Sequence, residues 1–259
     1  MSPGISAYVL PGLELYKGVV SQGDMVIYMS KIYLFDLFDT VLTDVDLSFN
    51  VGLRILWRNH FADSCSFSEL AEYSEEVLKY MRELQSHNDE LCYATDEISM
   101  YCKKFSVEPF VLSDDEEWEF MLAIEKEVFL PETKEVLEQL KAAGTPMYVL
   151  SNSIFRANAL KRCLDHYCAL SYFNEVWSSA DFGKRKPAPE FFDMAVANIL
   201  KDNPWAGKEE IIFVGNSYNH DAHGAVGAGL SAVWLNLKKE SNVDDLPIRI
   251  IPNISYLLK

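Results

Sequence analysis

No apolar run in the sequence is long enough to cross a bilayer as a helix, so a helical membrane span is not expected. The N-terminus lacks the basic start and continuous apolar stretch of a secretory signal. There is no Cys-x-x-Cys pair. The five cysteines (Cys65, Cys92, Cys102, Cys163 and Cys168) form an odd, scattered set. They read as reduced thiols filling small apolar spaces, which argues against a disulfide framework and for a cytoplasmic setting. Basic residues are also scarce: 23 Lys and Arg stand against 39 Asp and Glu, a net charge of −16. Phosphate backbones and anionic membrane surfaces both need a basic face, so neither nucleic acid nor membrane is expected as a partner. No internal repeat or low-complexity tract is present.

What is present suits a globular α/β protein. The chain has 259 residues, 49% of them apolar, enough for one sizeable core and a smaller module. Residues 1–30 read as a separate extension, punctuated by Pro3, Gly4, Pro11 and Gly12, with a candidate hairpin over 13–20 and 25–29. From Ile32 the pattern changes. Short apolar runs at Ile32–Phe35, Met147–Leu150, Ile211–Val214 and Ser231–Leu235, with weaker ones at Glu175–Trp177 and Ile248–Ile251, predict strands. Helical patterns lie between them at Thr133–Ala143, Ile154–Leu164, Pro189–Leu200 and His220–Gly229. This alternation predicts a parallel sheet of right-handed crossovers, with ligands beyond the carboxyl ends of the strands. Residues 46–130 interrupt it with amphipathic helical stretches (Leu47–Phe61, Phe67–Gln85, Ala94–Phe105, Glu116–Phe129) and no strand, and they carry most of the negative charge. The expected division is therefore an extension over 1–30, a core over 31–45 and 131–259, and an inserted helical module over 46–130. Trp57, Tyr73, Tyr80, Tyr93, Tyr101 and Trp118 fall at helical spacing in that module, where core or interface packing explains most of them.

Four strand ends carry polar residues. Asp36 and Thr40 follow the first strand, where a buried carboxylate costs free energy unless it caps a helix, binds a cation or reacts. Ser151 and Asn152 follow the second, able to bind an oxyanion or to cap the helix from Ile154. Lys186 lies in Gly-Lys-Arg-Lys-Pro-Ala-Pro, where Pro187 restricts the chain and Pro189 starts a helix. A lysine so placed can neutralise a carboxylate and a developing negative charge. Gly215, Asn216 and Asp221 follow the Ile211 strand, with Gly215 permitting a tight turn. Each loop alone has a bland explanation; four in this order, all at carboxyl ends, do not.

The set resembles the haloacid dehalogenase superfamily over about residues 31–259. Hydrophobic-Asp-x-x-x-Thr matches Asp36 and Thr40, and the strand-end Ser matches Ser151. Lys-Pro-x-Pro-x-x-Phe matches Lys186, Pro187, Pro189 and Phe192, and Val-Gly-x-Ser-x-x-x-Asp matches the run from Val214 to Asp221. The resemblance implies an α/β fold, a Rossmann-like doubly wound parallel sheet with an inserted α-helical cap. It implies that Asp36 attacks the substrate and forms a covalent aspartyl intermediate, with Ser151, Lys186 and Thr40 completing the catalytic set. Asn152 and Phe38 would contact substrate. In a phosphatase, Asp36, the backbone oxygen of Phe38, Asn216 and Asp221 would hold Mg2+. The partner implied is a small-molecule substrate, and the chain would act as a monomer or homodimer.

Two positions depart from the phosphatase pattern. Phe38 stands where such enzymes carry an acid two residues after the nucleophile, and Asn216 stands where they carry Asp. Asp39 is one step further along, a shift that turns a side chain to the other side of an extended chain. Both departures resemble the metal-independent 2-haloacid dehalogenases, which hold halide and carboxylate with a cap arginine; Arg54, Arg58 and Arg82 are candidates. The retained Asp221 spacing places a small-metabolite phosphatase first and the dehalogenase second. The third alternative is a non-catalytic ligand-binding protein of the same fold.

Overall fold

The computed structural model describes residues 31–87, 94–241 and 246–259. The extension over 1–30, with its candidate hairpin, lies outside the described residues, as do Cys92 and Tyr93. Six strands form one parallel sheet: β1 (Ile32–Phe35), β4 (Met147–Ser151), β5 (Glu175–Ser178), β6 (Ile211–Gly215), β7 (Ser231–Leu235) and β8 (Ile248–Ile251), in the order β5-β4-β1-β6-β7-β8. The strand order reverses between β1 and β6, which makes their carboxyl ends the switch point where such sheets bind ligands.

Strand periodicity divides the core into two layers. Ile32 and Leu34 join Tyr148, Leu150 and Phe213 on one face, against α8 (Pro189–Asp202). Tyr33 and Phe35 join Val149 and Val214 on the other, against α5 (Thr133–Ala142) and α6 (Ala157–His166). In α8 the buried residues Phe191, Phe192, Ala195, Val196 and Ile199 recur at helical spacing, and Pro189 opens the helix where its missing N–H costs nothing.

Four helices, α1 (Phe49–Leu56), α2 (Phe67–His87), α3 (Ala94–Phe105) and α4 (Asp114–Ile124), lie between Leu47 and Glu125 in the chain. A short π-helical turn over Trp57–Phe61 continues α1. The helical assignment of residues up to 129 is corrected here. Glu125–Phe129 is a strand, β3, antiparallel to β2 (Leu42–Leu47). This two-stranded ribbon leads into and out of the helical module, and the expected boundary at 45/46 falls inside β2. Propensity hides the ribbon: Asp44 and Asp46 are poor strand formers, and Glu-Lys-Glu reads as the charged face of a continuing helix. Helix α6 also starts later than its pattern implied, at Ala157, and His220–Gly229 is a π-helical turn over Tyr218–His223 followed by a short α9 (Gly224–Gly227).

Aromatic edge contacts among Trp57, Phe61, Phe67, Tyr73, Tyr101 and Phe105 fill the module, while Tyr80 is exposed. Trp118 faces His166 of α6. Charge ties the module to the core at the same place. The guanidinium of Arg156 donates to Glu117 and to the backbone oxygen of Leu112, and Arg162 donates to Asp115. No helix among the described residues is long and apolar enough to cross a membrane.

Glu97 is buried inside the module and accepts from the Tyr101 hydroxyl. Burial pushes its carboxyl up from the usual 4.5 to about 7, the hydrogen bond opposing only part of this. The folded state thus holds this proton more tightly than the unfolded chain. The stability that follows is present below pH 4.5 and is lost as pH rises through about 7. Glu97→Gln removes the titration, so its stability relative to wild type should rise with pH across that window by about 3 kcal/mol. Urea unfolding of both proteins at several pH values checks this; a constant difference would contradict it.

Candidate active site

The parallel register brings three strand ends side by side. Phe35 pairs with Val149 and with Val214, so the chain leaving β1 passes between the ends of β4 and β6. The Asp36 N–H donates to the Val214 oxygen at 2.9 Å, which fixes this exit. Asp36 is buried and caps no helix; its side chain meets Lys186 instead.

Lys186 is the centre of the site. Its Nζ donates to Asp36 Oδ1 at 2.6 Å and lies 2.8 Å from Asp221 Oδ1, with the side chain 1% exposed. Two buried carboxylates therefore share one ammonium, and this triad carries one net negative charge. Burial raises the Asp36 carboxyl, Lys186 pulls it down, and Asp221 raises it again; the balance leaves it at about 6. Burial alone would lower the Lys186 ammonium, but Asp221 and Asp36 together hold it above its usual value.

Asn152 positions that lysine. Its Oδ1 accepts from the Lys186 N–H at 2.8 Å and its Nδ2 donates to the Lys186 carbonyl at 2.9 Å. The amide thus grips the Lys186 backbone from the neighbouring strand end, a role the sequence did not disclose. Helix capping by Ser151 or Asn152 is not what the structure shows, since Arg156 is the N-cap residue of α6. Ser151 is fully buried, and among the described residues its Oγ has no hydrogen-bond partner. An orphaned buried hydroxyl costs free energy unless something else binds it, which suits a ligand oxygen at this strand end.

The remaining candidates surround this centre. The Thr40 hydroxyl donates to Asp36 Oδ2 at 3.3 Å. Ser217 N–H donates to Asp221 Oδ2 at 2.9 Å, orienting that carboxylate from its own loop. The Asn216 carbonyl accepts from the Trp234 indole at 2.9 Å, which anchors the loop backbone on β7. Phe38 is partly buried and bridges to Leu42 at the start of the ribbon. Asp39, with φ of 56°, is exposed and accepts from the Thr43 hydroxyl at 2.6 Å. The loop is irregular there, and its carboxylate is engaged with the ribbon. Arg54 lies over the Phe67 ring, and Arg54, Arg58 and Arg82 are all exposed.

Gly215 is there for Asp221. A Cβ at this position would lie 2.4 Å from the Asp221 carboxyl carbon, so the carboxylate reaches Lys186 only across a bare backbone. Gly215→Ala should displace Asp221 and lower kcat by ~10²-fold, the scale of an ångström-sized misplacement. Steady-state kinetics with a circular dichroism control tests this; unchanged kcat in a folded variant would contradict it.

The oxygens available fit magnesium in kind. Asp36, Asp221, the Asn216 amide and the Phe38 carbonyl are hard donors. Among the described residues there is no group of three or more His, Cys, Asp or Glu that could hold a metal ion, so a cation here must draw on amide and backbone oxygens. A cavity of about 50 Å³ between module and core is lined by Ile98, Leu112, Glu117, Ile154 and Arg156, and by none of the residues of the charged triad.

The sequence matches the family described as haloacid dehalogenase-like hydrolase over residues 31–229. A glyceraldehyde 3-phosphate phosphatase of Methanothermobacter thermautotrophicus is 30% identical over 135 residues, which are 49% of this chain and 56% of that protein. The chain thus spans about half the length of the curated relatives it matches. Among solved structures, a 2-haloacid dehalogenase of Pseudomonas syringae aligns with a TM-score of 0.58 at 22% identity, over 88% of this chain and 96% of that one. The putative HAD-hydrolase YfnB of Bacillus subtilis, solved bound to magnesium, aligns with a TM-score of 0.56 at 18% identity, over 88% and 96%. At these identities the structural matches concern the fold alone.

Proposed function

Because the chain belongs to the haloacid dehalogenase-like hydrolase family, we propose that it hydrolyses a small phosphorylated metabolite through a covalent intermediate on Asp36. The observation that carries this reading is the buried Asp36–Lys186–Asp221 triad beside the unpartnered Ser151 hydroxyl. A phosphoryl group arriving at this strand end would meet the attacking carboxylate of Asp36, the ammonium of Lys186 and a free hydroxyl donor. The Asp36 oxygen attacks phosphorus, the leaving oxygen departs, and water then releases phosphate from Asp36. Lys186 offsets the negative charge gathered in the transition state, and Asn152 keeps it in place. Asp36, the Phe38 carbonyl, Asn216 and Asp221 would hold Mg2+, which, when bound, supplies Lewis-acid polarisation of the phosphoryl oxygens. Having Asn at position 216 leaves this set one negative charge short of an all-carboxylate site, so magnesium binding should be weak.

The helices α1–α4 would serve as the cap, closing over the strand ends and excluding water. The Arg156–Glu117 contact supports this, since it joins the module to the loop that follows Ser151.

Phe38 and Asn216 favour one second reading, a metal-independent 2-haloacid dehalogenase, in which Lys186 alone would balance both carboxylates. Release of 4-nitrophenol from its phosphate, with magnesium and with EDTA, separates the two. Magnesium-dependent release, lost in Asp36→Asn, is the expected result, with glyceraldehyde 3-phosphate as the first metabolite to try. No phosphate release, together with chloride release from 2-chloropropionate in EDTA, would transfer the assignment to the second reading.

A further inference from the structure

We infer that Glu117, a residue of the helical module, is a positioning residue for Lys186: it holds the loop 152–157, and that loop holds the lysine. The inference rests on Lys186 standing at the centre of the site and names a further residue on which that placement depends.

The loop from Asn152 to Ala157 joins β4 to α6 and is gripped from two sides. On the core side the grip comes from the end of β5 and from α7 (Ser179–Phe182). The Ser153 N–H donates to Ser179 Oγ at 3.0 Å, and the Ser179 hydroxyl donates to the Ser153 oxygen at 3.1 Å. The Ser178 hydroxyl donates to the Phe155 oxygen, and the Ala157 N–H donates to Asp181 Oδ2 at 2.6 Å. On the module side, the Ala94 N–H of α3 donates to the Ile154 oxygen at 3.4 Å, and the Arg156 N–H donates to Glu117 Oε1 at 2.7 Å. The two sets interleave. The core holds the backbone of residues 153, 155 and 157, and the module holds that of residues 154 and 156.

Glu117 is the stronger of the two module ties. Its second carboxylate oxygen accepts from Arg156 Nε, so one carboxylate takes both the backbone and the side chain of a single residue. Paired charge-assisted bonds fix direction as well as distance. The Glu117 side chain is 5% exposed, and such bonds are stronger where water is excluded. The Arg162–Asp115 pair joins the same two helices outside the loop, and its side chains are 37% and 85% exposed. A pair of that kind contributes little.

The loop passes this restraint on. Its first residue, Asn152, holds the N–H and the carbonyl of Lys186, whose Nζ reaches two carboxylates at 2.6 and 2.8 Å. Helix α7 leads in the chain into the segment that ends at Lys186, so the core-side bonds tie the same two loops together. A shift of an ångström in a group placed so closely is worth ~10²-fold in rate. Replacing Glu117 does not strand a buried cation. Arg156 also donates to the Leu112 oxygen, pairs with Asp114 and has a side chain 32% exposed.

The test combines two measurements on the full chain. Hydrogen exchange of the Lys186 amide is followed by NMR, and kcat and KM are measured for 4-nitrophenyl phosphate with magnesium. Wild type, Glu117→Ala, Glu117→Gln and Arg162→Gln are compared. Glutamine keeps the shape of the side chain but presents one acceptor oxygen where glutamate presents two. In Glu117→Ala the Lys186 amide should exchange roughly 10-fold faster, about the worth of one hydrogen bond, and by less in Glu117→Gln. kcat should fall ~10²-fold in the first and ~10-fold in the second with KM little changed, the mark of a group felt in the transition state. Arg162→Gln should match wild type in every readout. Unchanged Lys186 exchange in both Glu117 variants would overturn the inference. So would equally fast exchange in Arg162→Gln, which would make the effect one of module docking in general, or faster exchange with unchanged kcat. The exchange readout needs no turnover: if the protein hydrolyses no phosphate, the phosphatase reading falls and the exchange rates still decide the inference.

Discussion

Lys186→Met is expected to lower kcat/KM by at least ~10²–10³-fold, the scale seen when a single group stabilising transition-state charge is removed. Methionine keeps much of the volume and removes the ammonium, so Asp36 and Asp221 would face each other without the charge that now separates them. Two further consequences have definite signs. Lys186 is the influence that holds the Asp36 carboxyl down against burial and Asp221, so its removal should raise Asp36 above its present value of about 6. The acid limb of the kcat/KM profile, expected near pH 6 in the wild type, should therefore move to higher pH. Stability should fall by ~3–5 kcal/mol at pH 8, as when one member of a buried charged set is removed, and by less at pH 5, where a proton on one carboxylate relieves the repulsion. pH-rate profiles and urea unfolding at the two pH values measure both effects. An acid limb that stays in place would show that Asp36 does not govern it.

Asp36→Asn is expected to abolish turnover, with a loss on the order of 10⁴–10⁶-fold, as for removal of a nucleophile or its partner in other covalent enzymes. Its effect on folding should be the reverse of that of Lys186→Met. The amide oxygen can still accept from Lys186 Nζ, and Asp221 remains to balance the ammonium. One buried negative charge is removed from a place where burial already disfavours it. The variant should be at least as stable as wild type above pH 6 and should still bind inorganic phosphate. Activity falling without stability is the signature of a group that reacts; calorimetric unfolding beside steady-state kinetics distinguishes this from a structural role. Retained turnover would end the nucleophile assignment.

How much of this was legible in the sequence depended on burial. The strands β1, β4, β6 and β7 are apolar on both faces and stood out, and their order located the strand ends where Asp36, Ser151, Lys186 and Asp221 converge. The ribbon was hidden because Asp44, Asp46, Glu125 and Glu127 make its strands look like loop and helix. The grip of Asn152 on the Lys186 backbone spans 34 residues and has no periodic signal, so only the folded chain shows it. The Arg156–Glu117 contact was missed for the same reason: Arg156 follows Phe155 in a loop, and Glu117 sits among four acidic residues of the first turn of α4. Alternation along an extended chain is not what turns Asp39 aside. The loop does bend into the left-handed region, and it is the bond from Thr43 that engages the carboxylate.

The central claim is that Asp36 becomes covalently bonded to the substrate's phosphorus. It is tested most directly by mixing the protein with 4-nitrophenyl phosphate and magnesium, quenching in acid during turnover, and mapping the peptides by mass spectrometry. The account predicts one phosphoryl group on the peptide containing Asp36, absent from Asp36→Asn and absent after turnover is complete. Turnover of the same substrate with no phosphoryl group on that peptide at any quench time, or with the group on another residue, would contradict it.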